Sequence, residues 1–134
     1  MSKPARIAVV DDDAVFLDLM QDLLGLGEGY DVVTNADWAV SVDFIKHTQP
    51  DLIMLDLMLG RTQTGWAVLD LLGADEATRD IPVILCSAAA PALDHRPTHA
   101  PQPLTVVSLA KPFDLDDLLS TIDQLLACRS ALSI

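Results

Sequence analysis

Three aspartates, Asp11, Asp12 and Asp13, come directly after the apolar run of residues 7–10. Such a run is typical of a strand that is buried on both faces. Two carboxylates about 4 Å apart repel each other by roughly 4 kcal/mol at an effective dielectric constant near 20. Folding alone would not favour this arrangement, so we expect the aspartates to hold a cation. Aspartate is also a favoured helix N-cap residue, and capping of the following helix is the alternative interpretation.

Three further polar residues, Asp56, Ser87 and Lys111, also follow apolar runs. In a parallel α/β sheet, ligands bind at the carboxyl ends of the strands, where the strand order reverses. We therefore expect these side chains to meet Asp11 and Asp12 in one acidic pocket that also contains a hydroxyl and an ammonium group.

This set of groups suits phosphoryl transfer to a carboxylate. Asp56 would be the nucleophile and would form an aspartyl phosphate. Asp12 and Asp56, together with Asp11, would hold Mg²⁺ through oxygen ligands. Lys111 would neutralise one phosphoryl oxygen, and Ser87 would donate a hydrogen bond to another.

The elements that position these residues follow from the hydrophobic pattern. Apolar runs alternate with amphipathic stretches, which is typical of a parallel sheet built from βαβ units. The predicted strands are residues 7–10, 30–34, 52–55, 82–86 and 105–109, and the predicted helices are residues 15–24, 38–48, 66–72 and a last helix after Asp114. Gly25 and Gly27 are expected to end the first helix. The expected buried stripe of the last helix is Leu115, Leu118, Leu119, Ile122, Leu125 and Leu126.

Length and composition indicate one domain, residues 1–134, with a substantial core, because 51% of the residues are hydrophobic. The net charge of −12 argues against binding to nucleic acid phosphates or to an anionic membrane surface. No apolar stretch approaches the roughly 18 residues of a membrane span, and no signal-peptide core precedes the first strand. We therefore expect a cytoplasmic protein in which Cys86 and Cys128 are reduced thiols.

Four motifs make the chain resemble the receiver domain of two-component response regulators. Residues 7–13 and 51–58 match as long runs, and residues 86–88 and 110–113 match as short ones. The resemblance covers about residues 5–127. It implies a flavodoxin-like α/β fold, a doubly wound five-stranded parallel sheet with strand order 2-1-3-4-5.

The resemblance also implies roles for individual residues. Asp56 matches the phosphoacceptor, and Asp11 and Asp12 match the acidic pair that binds Mg²⁺. The backbone carbonyl of Met58 falls where the family supplies a further metal ligand. Ser87 matches the switch hydroxyl.

Lys111 matches the family's phosphate-contacting lysine, and a cis peptide often precedes the family's equivalent of Pro112. The implied phosphodonor is a phosphohistidine on a sensor histidine kinase or a phosphotransfer protein. The family's members promote their own phosphorylation and dephosphorylation and signal to a downstream protein by direct contact, so we expect a signalling protein rather than an enzyme.

Three departures from the family pattern bear on this interpretation. Residues 59–65 lack a usual proline and form a longer loop. Ser108 stands where the family has an aromatic switch residue. Residues 88–104, where the fourth helix belongs, contain four prolines, Pro91, Pro97, Pro101 and Pro103, so we expect that helix to be degenerate.

Two alternatives from other functional classes follow. A pseudo-receiver would keep the pocket but bind its partners without phosphorylation, and Ser108 and the proline-rich residues 88–104 favour it. A phosphatase with an aspartyl intermediate is disfavoured. Such enzymes place the nucleophile in an Asp-x-Asp run on the first strand and the metal carboxylates later, whereas here the acidic cluster comes first and the Asp56 strand ends in Asp-Leu-Met. A metal site at His95 and His99 is also disfavoured, since Pro97 lies between them and no third ligand is evident.

Met58 and Ala89 lie two residues after Asp56 and Ser87, at positions that border the phosphate in this family. Neither side chain can orient an attacking water molecule by hydrogen bonding. We therefore expect the aspartyl phosphate to hydrolyse slowly.

Overall fold

The computed structural model describes residues 3–57, 64–87 and 105–132. Five strands form one parallel sheet with the order β2-β1-β3-β4-β5. The strands are β1 Arg6–Val10, β2 Asp31–Asn35, β3 Leu52–Asp56, β4 Val83–Ser87 and β5 Val106–Ala110. This order confirms the predicted flavodoxin-like, doubly wound fold. Each strand end lies within one residue of its predicted position, because buried apolar runs are the clearest strand signal.

Helices alternate with these strands. The described helices are α1 Ala14–Met20, α2 Ser41–Thr48, α3 Thr64–Ala74 and the C-terminal helix Leu115–Leu132. A π-helical segment, Gln21–Gly27, continues α1, and a 3₁₀ turn, Trp38–Val40, precedes α2. The expected degenerate helix in residues 88–104 lies outside the described residues.

The predicted end of the first helix at Gly25 is wrong, because the π-helical segment continues through this residue and ends at Gly27, the second predicted position. Leu24 is completely buried within this segment, and the Gln21 side-chain amide donates a 3.0 Å hydrogen bond to the Val32 carbonyl on β2. These tertiary contacts outweigh the modest helix propensity penalty of glycine.

Two layers of helices bury the two faces of the sheet. Side chains of α2 and α3, such as Ile45 and Leu69, pack on one face, and side chains of α1 and the C-terminal helix pack on the other. The predicted stripe of the C-terminal helix is confirmed at its buried positions, Leu118, Ile122 and Leu125. Leu115, predicted to belong to it, is exposed. None of the helices in the described ranges is long and apolar enough to cross a membrane.

Candidate functional site

The register of the sheet brings the predicted site residues to one edge. The residue before Asp11 pairs with the residue before Asp56, so the two aspartates extend neighbouring strands side by side. Ser87, the last residue of β4, pairs with the residue before Lys111. Four of the predicted residues therefore reach the same edge from four strands.

Asp11, Asp12 and Asp56 form an acidic cluster at this edge. One carboxylate oxygen from each residue can be chosen so that all three lie within 4.8 Å of one another. Asp11 and Asp56 are buried, with exposed fractions of 1% and 8%, whereas Asp12 is exposed. At 4.8 Å each repelling pair costs roughly 3 kcal/mol at an effective dielectric constant near 20. The cluster is therefore an arrangement that a cation would stabilise.

Asp13, the third aspartate of the run, has a different role. Its side chain caps α1, where Oδ1 accepts hydrogen bonds from the backbone N–H groups of Val15 (3.0 Å) and Phe16 (3.4 Å). The capping interpretation thus holds for Asp13, while Asp11 and Asp12 lie in the acidic cluster. The cap fixes the first turn of α1 directly beside that cluster.

Lys111 supplies the positive charge of the site. Its Nζ donates to Asp11 Oδ2 at 2.6 Å and lies 4.0 Å from Asp56 Oδ2. Burial alone would lower the pKa of Lys111, but the hydrogen bond and charge of Asp11 and the charge of Asp56 outweigh burial and raise the pKa. The ammonium group is therefore charged at neutral pH. The peptide bond between Lys111 and Pro112 is cis, as the resemblance implied.

The donor set fits Mg²⁺ in both charge and ligand type. Three carboxylates and one ammonium group leave two net negative charges, which a single Mg²⁺ would balance. Carboxylate oxygens are hard ligands of the kind that Mg²⁺ prefers, and exposed Asp12 leaves room for water in the coordination shell. Asp11, Asp12 and Asp56 are thus the residues that would hold the ion.

Other predicted site features are only partly described or lie outside the described residues. The backbone of Ser87 lies at the correct edge, but its side chain falls outside the description. Met58 and the pair His95 and His99 lie outside the described residues, as do residues 58–63 of the loop after β3. Ser108 is exposed on β5, so this position presents no aromatic ring to the site.

Gly65 contributes to the site in a way that sequence reasoning missed. Its N–H donates a 2.9 Å hydrogen bond to the Leu57 carbonyl, directly after the acceptor strand. A Cβ atom on Gly65 would lie 2.5 Å from Leu57 Cα and 2.6 Å from the Asp56 carbonyl oxygen. A glycine is therefore needed where α3 approaches Asp56. The sequence signal was a glycine at a predicted helix start, which alone does not reveal this contact.

Cys86 lies beside the site but faces the core. It is a free thiol with an exposed fraction of 2%. Burial raises its pKa to about 12. The thiol is therefore protonated at neutral pH and behaves as a small apolar group.

The chain matches the family model described as "response regulator receiver domain" over residues 7–123. It is 37% identical over 124 residues to the DNA-binding dual master transcriptional regulator RpaA of Synechocystis sp., a match that covers 90% of this chain and 48% of that protein. It is 32% identical over 89 residues to the DNA-binding response regulator MtrA of Mycobacterium tuberculosis, covering 66% of this chain and 37% of that protein. The chain thus spans about half or less of these curated relatives.

Solved structures with the same fold include a sensor protein from Polaromonas sp., with 25% identity and a TM-score of 0.80 over 96% of this chain and 99% of that one. A second is the receiver domain of a sensor histidine kinase from Pseudomonas aeruginosa, which has a magnesium ion in its active-site cleft. It is 24% identical, with a TM-score of 0.76 over 92% of this chain and 98% of that one.

Proposed function

Because the chain belongs to the response regulator receiver domain family, we propose that it accepts a phosphoryl group on Asp56 in a Mg²⁺-dependent reaction. The observation that carries this proposal is the meeting of three carboxylates within 4.8 Å, with the Lys111 ammonium group 2.6 Å from one of them. The donor is a phosphohistidine on a sensor histidine kinase or a phosphotransfer protein.

Each residue has a defined part in the transfer. An Asp56 carboxylate oxygen forms the new bond to phosphorus, while the bond between phosphorus and the donor atom breaks and its electron pair leaves with the donor. Asp11 and Asp12, with Asp56 and the Met58 backbone carbonyl that the resemblance implies, would hold Mg²⁺. The bound ion supplies positive charge that offsets the charge of the transferred group. Lys111 and Ser87 contact separate phosphoryl oxygens.

The charge of Lys111 is kept for this task by its surroundings. The ammonium group lies 2.6 Å from Asp11 Oδ2 and 4.0 Å from Asp56 Oδ2. The exposed fraction of the Lys111 side chain is 20%, so this side chain is partly withdrawn from water. Electrostatic interactions are stronger where water is excluded. A phosphoryl oxygen arriving at Asp56 would therefore find a charged donor already at the site.

The proposed signal passes by protein contact from residues 1–134, which we treat as one receiver domain. The relatives RpaA and MtrA are named as DNA-binding regulators, but this chain matches less than half of either one. The net charge of −12 disfavours contact between this chain and nucleic acid phosphates. We therefore infer that the downstream contact made by this chain itself is with a protein.

A test of this function combines acetyl phosphate with intact-protein mass spectrometry, with and without Mg²⁺. The wild type should gain one phosphoryl group only when Mg²⁺ is present, and Asp56→Asn should gain none. Asp18→Asn, which removes an exposed carboxylate from α1, is the matched control and should behave as the wild type. Labelling of Asp56→Asn at the wild-type rate would refute Asp56 as the acceptor.

Ser108 supports a second candidate, a pseudo-receiver that binds its partners without phosphorylation. The residue is exposed on β5 and has no ring to couple a phosphoryl group to that surface. A wild-type protein that takes no phosphoryl group, under conditions that label another receiver domain, would favour this candidate.

A further inference from the structure

The Lys111 ammonium group has an aromatic neighbour as well as its acidic ones. Nζ lies 4.0 Å from the centroid of the Phe16 ring, within the range of a cation–π interaction. Its distance to Asp56 Oδ2 is also 4.0 Å, and that to Asp11 Oδ2 is 2.6 Å. Phe16 therefore belongs to the immediate surroundings of the charge beside the acceptor.

Phe16 is fixed at its backbone and at its ring by two further contacts. Its backbone N–H is bound by the Asp13 cap at the start of α1. Its ring meets the Phe113 ring edge to face, with centroids 6.2 Å apart and an interplanar angle of 85°. This is a favourable aromatic geometry. Lys111 and Phe113 lie two positions apart in the segment after β5, so both contact the same ring on α1.

We propose that Phe16 is a positioning residue for phosphoryl transfer, which holds the Lys111 ammonium group beside Asp56 through the face of its ring. This proposal rests on the proposed function. Phe16 does not touch the reacting atoms and acts only through Lys111.

The need for such a residue follows from the contacts of Lys111. Its strongest partner is the Asp11 carboxylate, which is also one of the groups that would hold Mg²⁺. A lysine side chain is a flexible four-carbon stem that carries a point charge. A ring face is uncharged, so it attracts the ammonium group without competing for the metal. Phe16 can therefore keep the Lys111 ammonium group in place when the Asp11 carboxylate binds a metal ion.

A simple packing role for Phe16 predicts a different result on substitution. The ring also lines an apolar groove of about 420 Å³ between α1 and the start of the C-terminal helix, together with Leu19, Met20 and Phe113. A leucine side chain would line this groove nearly as well as phenylalanine. Only an aromatic ring provides the negative face that a cation needs.

The experiment measures the rate of Asp56 phosphorylation by acetyl phosphate in saturating Mg²⁺. In this reaction the bond between Asp56 and phosphorus forms as the bond between phosphorus and the acetate oxygen breaks, and acetate leaves with the electron pair. Phe16→Leu should lower the maximal rate constant by roughly three- to thirtyfold, in line with the usual strength of a cation–π contact. The Mg²⁺ affinity should change less than twofold. Phe16→Tyr should restore the rate constant to within about twofold of wild type.

Stepwise fluorination of the Phe16 ring separates electrostatics from packing, because it weakens the negative ring face while nearly preserving shape. The rate constant should fall with each added fluorine. Phe44→Leu is the matched control, since Phe44 packs on the opposite face of the sheet, and it should keep the wild-type rate constant. An upfield ring-current shift of the Lys111 ε-methylene protons in NMR spectra should be present in the wild type and lost in Phe16→Leu.

Each outcome has a distinct meaning. A rate constant that does not change across the fluorinated series, in wild-type protein that is phosphorylated, would overturn the positioning role alone. A wild type that takes no phosphoryl group would overturn the proposed function and this proposal together. A falling series together with an unchanged Phe44→Leu supports the positioning role.

Discussion

Replacement of Asp56 by asparagine should stabilise the metal-free protein, because it removes repulsion that folding creates. Asp56 takes part in two pairs of the acidic cluster, each worth roughly 3 kcal/mol of repulsion at 4.8 Å and an effective dielectric constant near 20. The Lys111 ammonium group lies 4.0 Å from Asp56 Oδ2 and attracts this carboxylate by roughly 4 kcal/mol at the same dielectric constant. Exposed Asp12 is screened by solvent, which reduces its share. The unscreened sum is a gain of about 2 kcal/mol, so with Asp12 screened the expected gain in the free energy of unfolding is about 1–2 kcal/mol.

The assay is urea unfolding of wild type and Asp56→Asn in EDTA at low ionic strength, repeated with Mg²⁺. In urea the gain appears directly as a higher free energy of unfolding. In thermal unfolding of the same proteins, each kcal/mol would raise Tm by roughly 4 °C for a chain of this length. The gain should shrink in Mg²⁺, because the ion binds the folded wild type and stabilises it. Asp18→Asn removes the same charge from an exposed position on α1 and controls for the net charge of −12. If Asp56→Asn is no more stable than Asp18→Asn in EDTA, the carboxylates do not repel as described.

Three other predictions follow from the surroundings of the site. Gly65→Ala would place a methyl group 2.5 Å from the Leu57 Cα atom. It should lower the free energy of unfolding, measured in urea, by about 1–3 kcal/mol. Gly27→Ala is the control, because the nearest atom there is 3.6 Å away, and an equal effect of this substitution would contradict the steric reason. Cys86, with a pKa of about 12, should react with a thiol reagent at pH 8 on the order of a thousandfold more slowly than an ordinary cysteine; this is measured with the other cysteine replaced by serine, and reaction at the ordinary rate would show that the thiol is accessible. Because Met58 and Ala89 cannot orient water, the aspartyl phosphate should persist for minutes or longer in a time course by mass spectrometry, and a lifetime of seconds would contradict that expectation.

The sheet was predictable from the sequence because its central strands β1 and β3 are buried on both faces. Residues 7–10 and 52–55 are continuous apolar runs, and their Asp neighbours mark where the strands end. The helical segments were harder to predict because individual side-chain hydrogen bonds, which the hydrophobic pattern does not reveal, decide their ends. The π-helical segment depends on Gln21 reaching β2, and the 3₁₀ turn before α2 lies within a local network in which Asp37 accepts from the Ala39 N–H.

The site was predictable to the level of residue types at strand ends and no further. Asp11 and Asp12 were predicted to lie in the acidic pocket, but capping by Asp13 remained only an alternative for the whole run, because all three aspartates follow the same strand. The contact between Phe16 and Lys111 joins segments from opposite ends of the chain, and no periodicity connects them. The space that requires Gly65 is likewise defined only once α3 packs beside β3.

The long sequence separation of Asp11 and Lys111 has a consequence for the chain during synthesis. The ion pair joins residues 100 positions apart, and the ammonium group belongs to the segment after the last strand. A nascent chain therefore carries all three carboxylates of the cluster well before it carries the lysine. A domain generally folds as a unit, so we expect the three carboxylates to be brought together only once the segment that carries the lysine has left the ribosome. A truncated chain that ends before β5 would lack both this edge strand and Lys111, and could not function as a receiver domain.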